Sequence, residues 1–219
     1  YFRQRGFRDE IIKKFQLGYA LSQRDAITKA ALQHGFKEEY LITTGLTYRS
    51  NENQLLDRFH GRVIFPVFTV SGKVVAFGGR ILSSDKKLAK YVNSPESIIY
   101  SKSHELYGLF QAKNSIVRND CCFLVEGYTD VISMHQAGIE NVVASSGTSL
   151  TDGQIRLLHR FTNNITVLYD GDAAGIRASM RGIDMLLAEG MNIKVLPLPE
   201  SEDPDSFVRS HRPEEFQQY

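Results

Sequence analysis

The 219-residue chain has no tryptophan and only two cysteines. The two are adjacent, Cys121 and Cys122, so they build neither a disulfide framework nor a set of metal ligands. Such sparing use of thiols suits a reducing compartment, and a cytoplasmic protein is expected. No stretch approaches the roughly 18 consecutive apolar residues of a membrane helix, so no membrane partner is expected. There is no secretory leader pattern. The first residue is Tyr, and YFRQRG reads as the interior of a folded segment, so a fragment of a longer chain is expected. Internal repeats and low-complexity tracts are missing as well. With 42% hydrophobic and 23% charged residues, an ordinary globular protein of one large or two small domains remains.

The chain also lacks net charge, at +1, but this hides a division. Residues 1–118 carry 19 Lys+Arg against 10 Asp+Glu, and residues 119–219 carry 7 against 15. A half at +9 next to a half at −8 suggests that the first binds a polyanion and the second holds cations of its own.

The acidic half alternates. CCFLVEG, NVVASSG, NITVLYD and NIKVLPLP are short apolar runs. Between them lie YTDVISMHQAG, closing on Gly138; TDGQIRLLHRF, with Thr151 and Gln154 at capping-box spacing; and AAGIRASMRGIDMLLAEG, closing on Gly190. Continuous apolar strands alternating with helices predict a parallel sheet with helices on both faces. The basic half reads as mixed α+β. Residues 8–42 look helical. RVIFPVFTVSGKVVAFGGRIL (62–82) reads as two strands joined at Ser71-Gly72, the second interrupted by Gly78-Gly79 where a backbone must bend or approach something closely. Residues 83–101 read as a polar loop and 103–114 as a short helix. The expected organisation is a basic α+β subdomain over 1–118 and an α/β subdomain over 119–219.

Three acidic pairs follow strands of the second half. Glu126 ends the first run, with Asp130 in the opening turn of the next helix. Asp170 and Asp172 follow the third run, and Asp203 and Asp205 the fourth. In a parallel sheet the carboxyl ends of all strands share one edge, where ligands of open α/β sheets bind. Each pair has an ordinary structural use: Asp130 at a helix N-terminus, Asp-Gly-Asp as a turn, Asp-Pro-Asp as a helix start. Three pairs at one edge would repel unless a cation neutralised them. The donors are all hard oxygens with no Cys or His beside them, which favours Mg²⁺ or Mn²⁺ over Zn²⁺. Such ions keep positions for water and phosphate, so the chemistry expected is on a phosphate ester or nucleoside triphosphate.

EGYTD (126–130), YDGDAAG (169–175) and DPD (203–205) together resemble the TOPRIM domain of bacterial primases, type IA and II topoisomerases and some nucleases. RVIFPVFTVSGKVVAFGGR (62–80), KYVNSPES (90–97), KSHELYG (102–108), VEGYTDV (125–131) and ASSGTSLT (144–151) narrow this to a resemblance to the DnaG-type bacterial replicative primases, over nearly the whole chain and weakest in residues 1–58. The resemblance implies the central RNA polymerase domain, a TOPRIM subdomain whose C-terminal helical part would be truncated here. It implies that Glu126, Asp170 and Asp172 are catalytic and form the primary metal site, with Asp130, Asp203 and Asp205 completing it. It places Arg62, Arg80, Lys90, Tyr91, Asn93 and Lys102 in motifs used near the active site on nucleotide or nucleic acid, whereas Lys86 and Lys87, outside those motifs, read as solvated charges. The implied activity is synthesis of short RNA primers on single-stranded DNA from ribonucleoside triphosphates, releasing pyrophosphate and leaving an RNA–DNA hybrid. The implied protein is a monomer and part of the primosome, with Mg²⁺ or Mn²⁺ and no zinc in this region, and with the replicative helicase bound through a domain not in this sequence. Competing readings are a TOPRIM nuclease or topoisomerase fragment and a non-catalytic nucleic-acid-binding module. Asp-x-Asp is also found in haloacid-type phosphatases, but Ala174 stands where those favour Thr or Val, and that reading leaves Glu126 unexplained.

Overall fold

The fold is described from a computed structural model over residues 1–82, 88–146, 150–169, 182–199 and 202–211. Contacts divide the chain into two compact units, one of Tyr1, Ile12–Val67 and Val74–Lys102, the other of Phe2–Ile11, Phe68–Lys73 and Ser103–Tyr219. Helix α1 (Asp9–Lys14) lies at the chain position where the first of these divisions falls.

In the first unit the segment expected to be helical is broken by a short strand. β1 (Gly18–Tyr19) pairs antiparallel with residues 63–64, and the helices that follow are α2 (Ala26–Gln33) and α3 (Glu38–Thr43). β2 (Thr47–Arg49) and β3 (Leu55–Asp57) form a small antiparallel pair. β4 (Arg62–Phe68) and β5 (Val74–Ile81) are the two strands predicted around Ser71-Gly72. β6 (Tyr91–Asn93) lies inside the stretch expected to be a polar loop and completes the sheet order β1-β4-β5-β6. Three residues are too few to show an alternation, and only pairing with Gly78–Arg80 makes this segment a strand.

Asp57 explains how α2 starts. Its carboxylate, buried at the end of β3, accepts from the backbone N–H of Ile27 (2.7 Å) and Thr28 (2.9 Å) and from the Thr28 hydroxyl (2.6 Å). The helix is capped by a residue 30 positions away; Asp25, at its own N-cap position, makes no side-chain cap.

The second unit is built on a parallel sheet, as expected. α4 (Leu109–Asn119) precedes β7 (Cys122–Val125), α5 (Tyr128–Gln136), β8 (Val142–Ala144), α6 (Asp152–His159), β9 (Asn164–Tyr169), α7 (described over 182–188), β10 (Asn192–Pro197) and α8 (Pro204–Ser210). The strand order is β10-β9-β7-β8, all neighbours parallel. Alternate strand residues Cys122, Leu124, Ile165 and Val167 pack with Leu109, Ala112 and Ile116 of α4 and Ile155 and Leu158 of α6 into one core. The buried Val131, Ile132 and Met134 of α5 lie outside that core, and α5 packs on β8. Burying a leucine or isoleucine contributes about 1.5–3 kcal/mol, so this sheet is the most stable platform available to whatever its ends carry.

Thr151 and Gln154 form the predicted capping box at α6. The helix expected over 103–114 starts later, at Leu109. Tyr107 instead exchanges backbone hydrogen bonds with Ala144 (2.9 and 3.0 Å), and the preceding residues are held to α6 through Thr151 Oγ1 to Ser103 O (2.6 Å) and Gln154 Nε2 to Glu105 O (2.9 Å). A Cβ on Gly153 would lie 2.5 Å from the Ser103 carbonyl oxygen, so only glycine permits this approach.

Candidate active site at the carboxyl edge of the parallel sheet

The strand order reverses between β7 and β9. β7 is followed in sequence by β8 on one side and has β9 and β10 on the other. Such a reversal opens a crevice at the carboxyl ends of the strands. Register sets the strand ends level with one another. Leu124 of β7 stands level with Val167 of β9, and Val167 level with Val195 of β10. Two residues further along, Tyr169 is paired with Pro197, and Glu126 follows the last residue of β7. Asp170 comes next in sequence after Tyr169; it and Asp172 lie outside the described residues.

Glu126 is exposed at the end of β7. Gly127 follows in extended conformation and is the N-cap of α5. Asp130, in the first turn and buried, reaches back through Oδ2 to accept from the Gly127 N–H (2.9 Å). This half of a capping box fixes the angle between Glu126 and the helix. Below it the buried rings of Tyr107 and Tyr128 meet edge to face, 4.7 Å between centroids. Burial pushes the Tyr107 phenol well above its ordinary range, with the neighbouring Tyr128 adding to the shift.

The Asp-Pro-Asp segment has a structural role in both carboxylates. Asp203 is the N-cap of α8, with Oδ1 accepting from the Ser206 N–H (2.7 Å), and Pro204 takes the first helical position. Asp205 is buried. One of its oxygens accepts from the Ser133 hydroxyl of α5, the other from the Arg5 guanidinium, and Arg209 lies 3.7 Å from the latter. Arg5 carried no signal in the sequence, because its partner is 200 residues away. Among the described residues no three His, Cys, Asp or Glu side chains group closely enough to hold a metal ion, and two of the six acids are outside that set. The donors that are described, Glu126, Asp130, Asp203 and Asp205, remain oxygen only.

Of the cationic and polar candidates in the other unit, Arg80, Tyr91 and Asn93 come together. Arg80 and Tyr91 are direct cross-strand partners, as are Gly78 and Asn93, so all four share one face of the β5–β6 pair. The Arg80 guanidinium lies 5.8 Å from the Tyr91 ring, and the exposed Lys90 ammonium 6.0 Å from the same ring. Lys102 lies beyond these strands, its backbone N–H donating to Glu96 (2.7 Å). Arg62 is different. It is 7% exposed, and its Nη1 donates to the carbonyls of Gly79 (3.2 Å), Ala89 (3.0 Å) and Lys90 (3.4 Å). Desolvation lowers its pKa below the ordinary guanidinium value. A Cβ on Gly79 would come 2.7 Å from Phe59 and 3.1 Å from Arg62 Cδ. The second glycine of the pair thus makes room for the Arg62 side chain.

A strand-order reversal on a four-stranded parallel sheet with an exposed glutamate at its edge, and an antiparallel basic unit on the same chain, is a Toprim-type arrangement, and the comparisons agree. Residues 123–208 match the Toprim-like family, and residues 1–113 match the DNA primase catalytic core, N-terminal domain. The chain belongs to the DnaG-type primase catalytic-core family. It is 45% identical over 217 residues to a DNA primase of Clostridium acetobutylicum, covering 99% of this chain and 36% of that protein. A crystal structure of a DNA primase domain from Pseudomonas aeruginosa superposes with a TM-score of 0.89 at 38% identity, covering 99% of this chain and 68% of that one. The DnaG primase catalytic domain bound to ssDNA gives 0.89 at 38% identity, over 100% and 71%. The chain thus spans little more than a third of the length of a curated relative.

Proposed function

We propose that this chain is the catalytic core of an enzyme that synthesises RNA primers on single-stranded DNA. The observation that carries the reading is the exposed Glu126 at the end of β7, beside the point where the strand order reverses. The family's solved relative bound to ssDNA supports the choice of template.

The 3′-hydroxyl oxygen of one ribonucleotide forms a bond to the α-phosphorus of the next. The bond from that phosphorus to the α–β bridging oxygen breaks, pyrophosphate leaves, and the hydroxyl proton passes to a base. The exposed carboxylate of Glu126 is placed to accept that proton or to hold a cation, on the rigid end of β7. Asp130 positions it through the Gly127 N–H. Glu126, Asp170 and Asp172 would hold Mg²⁺ or Mn²⁺, with Asp130, Asp203 and Asp205 around them. The oxygen-only set fits these ions and not zinc. A bound divalent ion would lower the hydroxyl pKa and neutralise charge on the phosphates. The basic unit holds nucleic-acid phosphates through Arg80, Lys90 and Lys102, with Tyr91 and Asn93 beside them. Arg62 supports this face from beneath through the Gly79, Ala89 and Lys90 carbonyls. The whole protein would meet the replicative helicase through a segment outside this chain and act as a monomer in the cytoplasm.

The test is incorporation of labelled ribonucleotides on single-stranded DNA with Mg²⁺ or Mn²⁺, in the full-length protein. Template-dependent RNA that disappears in Asp170→Asn is expected. Degradation of the DNA without incorporation would instead make this a Toprim nuclease, and equal incorporation by the variant would remove Asp170 from the site.

A further inference from the structure

Arg80 is held more tightly than a phosphate-binding arginine on a strand requires. Its guanidinium lies 5.2 Å from the Tyr1 ring as well as 5.8 Å from the Tyr91 ring, and its Nη1 donates to the Tyr1 hydroxyl. Tyr91 is fixed opposite Arg80 by the β5–β6 register. Tyr1 reaches it from 79 positions earlier in the chain. Each tyrosine attracts the cation through its ring face. The Tyr1 hydroxyl adds a hydrogen bond that occupies one of the five N–H donors.

Among the described residues neither Arg80 nor Lys90 makes an ion pair, although both lie within about 6 Å of one ring. Two cations brought together without a carboxylate suit an anion that arrives from outside. The remaining in-plane donors of Arg80 match a phosphate's geometry. A guanidinium already oriented by two rings loses less rotamer freedom on binding than a solvated one.

We infer that Tyr1 is a positioning residue for Arg80. It orients the guanidinium, through its ring and its hydroxyl, to hold a phosphate of the nucleic-acid strand. This rests on the reading of the Arg80 face as a nucleic-acid contact.

The experiment measures binding of fluorescein-labelled single-stranded DNA to the full-length protein by anisotropy across a salt series. The variants are Tyr1→Phe, Tyr1→Leu, Arg80→Gln and the double variant Tyr1→Leu/Arg80→Gln. Loss of one phosphate contact in Arg80→Gln should flatten the slope of log affinity against log salt by about 0.7. Tyr1→Leu should weaken binding on the order of 3-fold and flatten the slope in part. It should do nothing further when combined with Arg80→Gln. Tyr1→Phe keeps the ring and should recover most of the affinity; it also serves where Tyr1→Leu lowers the melting temperature. An effect of Tyr1→Leu that is equal with and without Arg80→Gln, or absent, would overturn the inference and leave the Arg80 contact standing. An unchanged slope in Arg80→Gln would overturn the contact itself, and the inference with it.

Discussion

The Glu126–Asp130 pair after β7 and the Asp203–Asp205 pair at the start of α8 are used differently by the fold. After β7, Glu126 is exposed while Asp130 binds the backbone of its own N-cap. Before α8, Asp203 caps the helix and Asp205 is buried between Arg5 and Ser133. In both places one acid builds the local frame. The second acid is displayed to solvent in the first place and is drawn into a long-range ion pair in the second. An acidic motif thus marks a site without saying which of its members meets the substrate.

Variants can break this comparison. The largest expected effect is on Asp205. Asp205→Ala removes the carboxylate that the Arg5 guanidinium and the Ser133 hydroxyl bind, and losing one member of a buried pair costs about 3–5 kcal/mol. Urea unfolding should show this, and Asp205→Asn should keep the Ser133 hydrogen bond and recover part of it. An unchanged unfolding midpoint would mean that the Arg5–Asp205 pair holds nothing together. Glu126→Gln should do the opposite: primer synthesis falls on the order of 10²–10³-fold, as for loss of a general base or an electrostatic stabiliser, with the melting temperature unchanged. A comparable loss of stability would make Glu126 part of the frame as well.

Next comes Arg62→Met, which removes the guanidinium's hydrogen bonds to the Gly79, Ala89 and Lys90 carbonyls. It should destabilise by about 2–3 kcal/mol, read by denaturant unfolding, and should leave the salt dependence of DNA binding unaltered. A flattened salt slope would show that Arg62 itself meets phosphate. Asp203→Ala removes an N-cap and should cost about 1 kcal/mol, with Asp203→Ser restoring most of it in the same measurement.

The smallest effect is a pH effect. Burial raises the Glu105 carboxyl above its ordinary value of 4.5. A raised carboxylic acid binds its proton more tightly folded than unfolded, so its contribution to stability is full below pH 4.5 and is lost as pH rises through the folded value. Glu105→Gln should therefore raise the melting temperature slightly at pH 7 and not at pH 4, and an equal gain at both would refute the burial argument.

The parallel sheet was legible because β7, β8 and β9 are largely buried and read as short apolar runs, whereas the exposed β10 was found from its place in the strand–helix alternation. Of the acids expected at its carboxyl edge, Glu126 is found exposed at the end of β7. β1 and β6 were not legible, since strands of two and three residues have no periodicity of their own and exist only through β4 and β5. The late start of α4 was hidden for a related reason. SHELYG has helical composition, but Tyr107 is captured by Ala144 of β8. Arg62 looked like its basic neighbours in the motif, and only its burial under three carbonyls separates it from Arg80.

The sequence by itself determined the α/β class of the second half, the capping box of α6, the hairpin at Ser71-Gly72 and the three acidic pairs, because each is written within a few neighbouring residues. Tertiary structure alone decided that Asp57 caps α2, that Arg5 meets Asp205 and that Tyr1 meets Arg80. Those partners are 30, 200 and 79 positions apart. No local pattern encodes a charge pair or a hydrogen bond closed over such distances; the packed core must first bring its members together.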